Sequence, residues 1–286
     1  MGRIVYVNGE YLPEEDGKIS IFDRGFLFAD GVYEVTAVVN SRLIDYAPHL
    51  ERLARSLREL KMEWPCTESE LRAMHEELIA RNGITEGWVY MQITRGAADR
   101  DFKFPKGVKP SLVGFTQVKG LLENPDAVTG VKVCTVPDIR WARRDIKSVS
   151  LLAPVLGKQM AYEQGCFEGW MMEDGVITEG TSSNAYIVKD GVIITRELSN
   201  SILAGVTRRV LFALAAEKGV KIEERVFTPE EAYAADEAFL TSASNFVLPI
   251  VEIDGKRIGG GQPGPVGRRL REMFLDAVRE QAGLLI

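Results

Sequence analysis

Apolar residues recur along this chain with two different periods, and the places where the period changes divide it into elements. Alternating or β-branched runs predict short strands at Arg3–Val7, Lys18–Phe22, Val32–Val39 and Leu43–Tyr46. Asn8-Gly9 between the first two is a hairpin dipeptide, because both residues tolerate positive φ. After Pro48 the spacing widens: Leu50, Leu53, Leu57 and Leu60 recur every three or four residues and predict an amphipathic helix. Thr67, with Glu70 three residues on, forms a capping box for a second helix that runs to Asn82 and stops at Gly83. Strands at Trp88–Thr94 and Ser111–Gln117 complete a first α+β unit. The polar loop between them, Gly96–Pro110, is marked by Pro and Gly and has the length of a functional loop.

Residues 119–129 (Lys-Gly-Leu-Leu-Glu-Asn-Pro-Asp-Ala-Val-Thr) read as a linker. Beyond it the pattern predicts a strand at Val131–Val136, a helix at Leu152–Gly165, and two Asp-Gly hairpins at Asp174-Gly175 and Asp190-Gly191. A helix at Val206–Gly219 carries Leu211, Leu214 and Ala215 on one face. Thr228-Pro229-Glu230-Glu231 opens another, with a capping threonine and proline at the first helical position. Asp254-Gly255 makes a further turn, and a charged helix closes the chain. The expected organisation is α+β twice: a small N-terminal domain over residues 1–118, a linker over 119–129 and a larger domain over 130–286.

Composition removes several function classes. A net charge of −6 argues against an electrostatic nucleic-acid binder, although a local arginine cluster can still hold a phosphate or carboxylate. Cys66, Cys134 and Cys166 are widely spaced and read as free thiols. His49 and His75 are the only histidines, so neither a histidine metal site nor a Ser-His-Asp triad is expected, and no metal is called for. No apolar run approaches the ~18 residues that span a bilayer. The start, Met1-Gly2-Arg3-Ile4-Val5-Tyr6, lacks the apolar core of a signal peptide. The chain reads as soluble and cytoplasmic. Gly259-Gly260-Gly261-Gln262-Pro263-Gly264 looks like a phosphate loop, but it carries a proline and joins no strand to a helix in a βαβ unit, so it reads as a plain surface loop.

Candidate chemistry gathers in two segments, Asp145-Ile146-Lys147-Ser148-Val149-Ser150-Leu151-Leu152 and Val176-Ile177-Thr178-Glu179-Gly180-Thr181-Ser182-Ser183-Asn184. Taken alone, Lys147 after Arg140, Arg143 and Arg144 reads as a surface lysine, and Glu179 before a Thr-Ser-Ser-Asn turn as a capping carboxylate. Further motifs stand in order around them: Phe22-Asp23-Arg24-Gly25 with Asp30-Gly31-Val32-Tyr33-Glu34, His49-Leu50-Glu51-Arg52-Leu53, Leu203-Ala204-Gly205-Val206-Thr207 and Leu240-Thr241-Ser242-Ala243-Ser244-Asn245. Together these resemble the signature segments of the fold-type IV pyridoxal-phosphate family. That family includes D-amino acid aminotransferases, branched-chain aminotransferases, (R)-selective amine transaminases and aminodeoxychorismate lyase. The matches run from residue 3 to residue 253, nearly the whole chain.

The resemblance implies a two-domain α+β fold with pyridoxal 5'-phosphate in the cleft between the domains, and a homodimer whose subunits share each site. It implies that Lys147 holds the cofactor as a Schiff base, which needs a neutral amine, and later shuttles a proton between the substrate Cα and the cofactor carbon. It sets Glu179 against the pyridine nitrogen, where a carboxylate keeps the ring protonated and a better electron sink. Arg52 becomes the charged donor to the phosphate. Gly205, Val206 and Thr207 add the N–H groups and dipole of a helix start. Thr241 and Ser242 add hydroxyl or amide donors, Leu203 packs on one ring face, and Ser182 lies near the ring.

Gly31-Val32-Tyr33-Glu34, Gln92-Ile93-Thr94-Arg95-Gly96 and Asp99-Arg100 are more similar to the D-amino acid aminotransferases than to the branched-chain enzymes. In that subgroup Tyr33 and Arg100 help bind the substrate α-carboxylate, Arg100 reaching in from the partner subunit. The pattern has a histidine two residues after this arginine, where the present chain has Phe102. One carboxylate donor is therefore missing; Lys103 or Arg95 could compensate, and less acidic donors such as (R)-amines come within range. The expected reaction is transamination between a D-amino acid such as D-alanine and a 2-oxoacid such as 2-oxoglutarate or pyruvate, through pyridoxamine phosphate. Branched-chain L-amino acid transamination, (R)-amine transamination and a pyruvate-releasing lyase reaction are the alternatives.

Overall fold

A computed structural model describes residues 2–284; Met1 and residues 285–286, at the outer ends of the two expected domains, lie outside the described residues. The chain forms two compact units. The first holds the chain up to Gly120, the segment Ile146–Ser150 and the chain from Arg279 onward; the second holds Leu121–Asp145 and Leu151–Val278. Both are α+β.

In the first unit β1 (Ile4–Val7) and β2 (Glu10–Pro13) form the hairpin that Asn8-Gly9 predicts, with φ of 50° and 108° at the two turn residues. Lys18–Phe22, expected as a strand, is irregular and leads into a short helix, α1 (Arg24–Phe28). The Asp23 carboxylate caps that helix, and Ile19, Ile21 and Phe22 stay exposed instead of lying on a half-buried pleated face. β3 (Gly31–Val39), β4 (Arg42–Leu43), β5 (Glu86–Thr94) and β6 (Ser111–Val118) complete an antiparallel sheet in the order β2-β1-β6-β5-β3-β4. The strand expected to reach Tyr46 ends at Leu43, because Tyr46 already opens α2 (Tyr46–Glu59). Buried and half-buried positions alternate along β5, as they must where one sheet face meets a core. That core is built from Leu53 and Leu57 of α2 and Leu71, Met74 and Leu78 of α3 (Glu68–Asn82), packed with Val32, Val89 and Met91 of the sheet. The Thr67–Glu70 capping box forms as expected, and Gly83 ends α3 at φ 59°.

The second unit begins inside the stretch read as a linker, where α4 (Pro125–Thr129) buries Ala127. Then follow β7 (Val131–Pro137), α5 (Leu152–Glu163), β8 (Glu168–Glu173), β9 (Val176–Gly180), β10 (Asn184–Lys189), β11 (Val192–Thr195), α6 (Val206–Glu217), β12 (Ile222–Glu224), α7 (Pro229–Tyr233), β13 (Glu237–Ser242), β14 (Phe246–Ile253), β15 (Lys256–Arg257) and α8 (Pro265–Gln281). The strands form one mixed sheet, β12-β11-β10-β13-β14-β7-β8-β9, with β15 added to β14. β10, β13 and β14 are buried almost end to end, as strands covered on both faces are. β9 and β10 stand five places apart in that order, about 24 Å in a flat sheet. Only Thr181, Ser182 and Ser183 join them, which span at most about 14 Å. The sheet must therefore curl, and the curl brings the end of β9 to the start of β10.

The glycine-rich stretch before α8 is not a phosphate loop. Val266 and Gly267 N–H donate to the Glu237 carboxylate at 2.9 and 2.8 Å, so the helix start is already occupied by a negative group.

His75 on α3 is buried and donates Nδ1–H to the Leu71 carbonyl at 2.8 Å. Burial lowers its pKa from 6.5 to about 4. The unfolded chain therefore binds this proton before the folded one does, and stability falls as the pH drops from 6.5 towards 4. The contribution amounts to about 3 kcal/mol at full protonation. Urea unfolding at a series of pH values checks this: His75→Leu is expected to flatten the slope in that window, and an unchanged slope counts against it.

Candidate active site

In the first unit β3 pairs with β5 over its whole length, whereas β4 covers its other edge only at Val38 and Val39. The segment Ile146–Ser150 takes the rest of that edge. Tyr33 N–H donates to the Lys147 carbonyl and Val149 N–H to the Gly31 carbonyl, each at 3.0 Å, with Val32 and Ser148 as bridge partners. Lys147 N–H donates to Ser56 Oγ on α2 at 3.3 Å. Backbone bonds on both sides thus fix the Lys147 backbone. Its half-buried side chain ends over the Tyr33 ring, Nζ lying 4.1 Å from the ring centre. Among the described residues Nζ has no hydrogen-bond acceptor or carboxylate partner. Tyr33 itself stacks on Tyr90, 5.6 Å away, and Tyr90 on Phe115 at 4.8 Å, which makes the ring a fixed platform.

Glu34, on the opposite face of β3, is buried against α2. It accepts from Arg52 Nε and Nη2 at 2.8 and 2.7 Å and from His49 Nδ1 at 2.7 Å. Burial alone would raise the Glu34 carboxyl; Arg52 and His49 reverse this and hold it well below the usual carboxylate range. Burial lowers the His49 pKa further than Glu34 raises it, so the ring donates as a neutral imidazole. The arginine expected to meet a phosphate is thus oriented by a bidentate carboxylate.

The loop after β5 is anchored at its base. Asp23 accepts from Gly25 N–H, Thr94 Oγ1 and Ser111 Oγ at 2.8, 2.9 and 2.7 Å. Asp30 takes Nε of both Arg24 and Arg95 at 2.8 Å, while Arg24 Nη1 reaches the Asp101 carbonyl at 2.6 Å. Arg95 lies under the Phe104 ring and also donates to the Leu60 and Lys61 carbonyls, so it is committed to structure. Arg100 is exposed above the rings of Phe28 and Phe102, and Phe102 and Lys103 are exposed beside it.

In the second unit the curl of the sheet builds a carboxylate site around Glu179, the fourth residue of β9. Glu179 is buried and accepts from Arg140 Nη1 at 2.6 Å, Asn184 Nδ2 at 2.9 Å and Leu203 N–H at 3.1 and 3.2 Å. Burial holds this carboxyl above its ordinary range, with Arg140 and the Leu203 amide working against the rise. Arg140 is gripped in turn by Asp138 at 2.9 and 2.7 Å, and Arg144 pairs bidentately with Glu173 at 2.7 and 2.6 Å. Arg143 pairs with Asp145 at 2.9 Å. The basic run ahead of Lys147 is therefore neutralised, arginine by arginine, and supplies no block of unpaired charge.

Asn184 ties the remaining residues of this half together. Its Nδ2 also donates to the Leu203 carbonyl at 3.0 Å, and it pairs in register with Thr241 of β13. A Cβ at Gly205 would lie 2.1 Å from Asn184 Oδ1, so only glycine lets α6 start this close. No side chain caps α6, and the N–H groups at Val206 and Thr207 open its first turn. Thr241 Oγ1 lies 3.0 Å from the Tyr186 hydroxyl, and Ser242 Oγ accepts from Asn245 Nδ2 at 3.1 Å. Ser182 is turned instead onto the buried Glu168, which accepts from its N–H and hydroxyl at 2.7 and 2.6 Å.

The sequence-expected residues thus assemble as two sets. In the first unit Lys147 meets Tyr33, while Arg52 is held by Glu34 on the opposite face of β3; Glu179, Leu203, Gly205, Val206, Thr207, Thr241 and Ser242 gather in the second, and Ser182 and Arg100 stand outside both sets. Sequence reasoning missed Arg140, Asp138, Asn184, Ser56 and the Glu34–His49 pair as supports. Asn184 stood in the quoted motif, but nothing in the sequence paired Arg140 with a residue 39 positions on.

Both sets fit pyridoxal phosphate. Among the described residues the half-buried Lys147 amine has no polar partner to surrender. Three donors occupy a Glu179 carboxylate that has about four accepting directions. In the network Asp138, Arg140, Glu179, Arg144 and Glu173, three carboxylates face two guanidinium groups and leave one negative charge, which a protonated ring nitrogen would balance. The uncapped start of α6 suits a phosphate.

Comparison with known proteins defines the class. The family model for amino-transferase class IV matches residues 31–253, and the chain belongs to that family. It is 40% identical over 273 residues to a D-alanine aminotransferase of Staphylococcus epidermidis, covering 94% of this chain and 96% of that protein. Among solved structures it is similar to the branched-chain amino acid aminotransferase of Escherichia coli, with TM-score 0.90, 25% identity and 96% and 94% of the two chains covered. A T.th. branched-chain amino acid aminotransferase, solved with pyridoxamine 5'-phosphate, gives TM-score 0.89 at 26% identity over 99% and 95% of the chains. Among the described residues no helix is long and apolar enough to cross a membrane.

Removing Arg140 takes the guanidinium from the buried Glu179 carboxylate, while Asp138 keeps Arg144 at 3.4 Å and Thr178. Arg140→Met is expected to cost about 3–5 kcal/mol, measured by denaturant unfolding near neutral pH. Without the guanidinium, burial lifts the folded pKa of Glu179 further above its unfolded value of 4.5, so the folded state binds more protons than the unfolded one and stability falls as pH rises above that value. A loss independent of pH would show that the role of Arg140 is packing.

Proposed function

We propose that this protein transfers an amino group between a D-amino acid, such as D-alanine, and a 2-oxoacid, such as pyruvate or 2-oxoglutarate, with pyridoxal 5'-phosphate held on Lys147. The observation that carries the reading is Lys147, whose backbone is held by Tyr33 N–H and Ser56 Oγ and whose amine lies over the Tyr33 ring without a polar partner among the described residues. Near-full-length similarity to a D-alanine aminotransferase at 40% identity supports the donor class. Membership of the class IV family supports the reading that both residue sets serve one cofactor.

When bound, the cofactor supplies a protonated heteroaromatic ring that takes up the electron pair of the breaking Cα–H bond. Lys147 Nζ would hold the cofactor aldehyde in the resting enzyme and would serve as the base that takes the proton from the substrate Cα. Glu179 keeps the ring nitrogen protonated, and Arg140 and Leu203 N–H keep Glu179 in place. Arg52, the first turn of α6, Thr241 and Ser242 hold the phosphate, and Leu203 packs on the ring, whereas Ser182 is committed to Glu168. Tyr33 and Arg100 receive the substrate carboxylate, a role that suits a bidentate guanidinium. Arg100 serves the site of a second copy of the chain. The exposed side chains of Ile21, Phe22, Phe26 and Phe102 on the first unit support such a homodimer. Three free cysteines support a reducing, cytoplasmic setting.

The first test mixes the cofactor-loaded enzyme with D-alanine or L-alanine in the absence of oxoacid and follows the cofactor absorption band. The band is expected to disappear with the D-isomer alone; a response confined to L-amino acids would overturn the donor assignment. In a second test, Glu179→Gln is expected to retain the cofactor while turnover falls by about 10²-fold or more. Near-normal turnover would remove Glu179 from the ring nitrogen.

A further inference from the structure

Phe246 is the residue that departs furthest from local rules. It opens β14 as the partner of Ser242 across a turn made by Ala243, Ser244 and Asn245. Its φ is +56°, in the left-handed region where such a turn ordinarily places glycine. A buried aromatic residue is held there only when its surroundings leave no alternative. Two features supply that constraint. The Phe246 ring packs against Phe274 of α8 at 5.0 Å. Arg271, one turn earlier on α8, donates Nη1 to the carbonyls on both sides of Phe246, Asn245 at 3.2 Å and Val247 at 2.9 Å. Its Nη2 donates to the Leu121 and Leu122 carbonyls at 3.0 and 3.3 Å.

Arg271 is buried and has no carboxylate partner among the described residues; its acceptors are backbone carbonyls alone. Burial without a counter-charge lowers its pKa from the ordinary arginine value. A guanidinium buried without a counter-charge carries a desolvation cost, which here is offset only by its hydrogen bonds to carbonyls, so its geometry is tied to theirs. What it holds leads directly to the turn: Asn245, whose carbonyl it grips, donates Nδ2 to Ser242 Oγ at 3.1 Å and N–H to the Ser242 carbonyl at 3.3 Å.

We propose that Arg271 is a positioning residue for phosphate recognition: by clamping the carbonyls that flank Phe246, it holds the Ser242–Asn245 turn in the shape that receives a phosphate dianion. Arg271 acts through Asn245 and touches neither cofactor nor substrate. The inference rests on the reading of Thr241 and Ser242 as phosphate donors.

The test compares the affinity of the full-length, cofactor-freed protein for pyridoxal 5'-phosphate and for pyridoxal, which lacks the phosphate. Arg271→Lys keeps the charge and loses the fork. It is expected to weaken pyridoxal 5'-phosphate about tenfold, the worth of one good hydrogen bond, while changing pyridoxal less than about twofold. Ser242→Ala is expected to show the same selective loss. If Arg271→Lys weakens both ligands alike, or neither, while Ser242→Ala stays selective, the role given to Arg271 is wrong. If Ser242→Ala is itself unselective, the phosphate reading of the turn fails and takes the inference with it. Should Arg271→Lys not fold, hydrogen exchange of the unaltered protein decides. Millimolar inorganic phosphate is expected to slow exchange across residues 242–247 and in the Arg271 turn of α8, and no protection there overturns the proposal.

Discussion

The backbone pairing of Gly31–Tyr33 with Lys147–Val149 is the constraint on which the chemistry of this protein depends. A lysine side chain carries about 2 kcal/mol of rotamer entropy, so a free surface lysine points nowhere in particular. Here the lysine's own carbonyl accepts from β3 and its own N–H is held by Ser56, which settles where Cα lies. The Tyr33 ring, stacked on Tyr90, which stacks in turn on Phe115, settles where the chain can run. The edge of β3 is open at this point only because β4 is two residues long. A longer β4 would have satisfied the same backbone groups and left the lysine segment without a berth.

The second unit solves a different problem, keeping a carboxylate charged away from water. Burial pushes Glu179 towards its neutral form, and a neutral acid could not hold a ring nitrogen protonated. The remedy is a chain of alternating charges, Glu179 to Arg140 to Asp138, with Arg144 and Glu173 behind. Each arginine is bidentate to at least one carboxylate, so the geometry is stiff as well as neutralising. The first unit uses the same device at the buried Glu34, met by Arg52 and His49, and at the half-buried Asp30, met by Arg24 and Arg95. Pairs of this kind add little net stability, but losing either partner is costly, and that cost fixes the side chains in place.

Two helix starts in the second unit show how local composition decides what the first turn meets. α8 follows a glycine-rich stretch that resembles a phosphate loop, yet Glu237 fills its first turn. α6 follows a plain Leu-Ala-Gly and has no side-chain cap. Glycine here serves close approach: Gly205 lets the helix start against Asn184, and Gly264 leaves room for the Glu237 carboxylate. The arginine that steadies the neighbouring turn, Arg271, comes from α8, so the helix whose start is filled by Glu237 holds the Ser242–Asn245 turn through its own second turn.

Much of this was legible in the order of residues. The Thr67–Glu70 capping box, the Asn-Gly and Asp-Gly turns and the start of α7 at Thr228-Pro229 are determined by groups within a few positions of one another, so reading along the chain finds them. The segments around Lys147 and Glu179 declared the family for the same reason. Lys18–Phe22 misled because a capping aspartate outweighed an apolar run. What only the tertiary structure decided is which charges meet and which edges pair. Lys147 binds Ser56 across 91 residues, Arg140 binds Glu179 across 39, and Arg271 reaches Leu121 across 150. Such contacts arise because buried donors, acceptors and charges must all be satisfied somewhere, and the fold, rather than the neighbouring sequence, determines where.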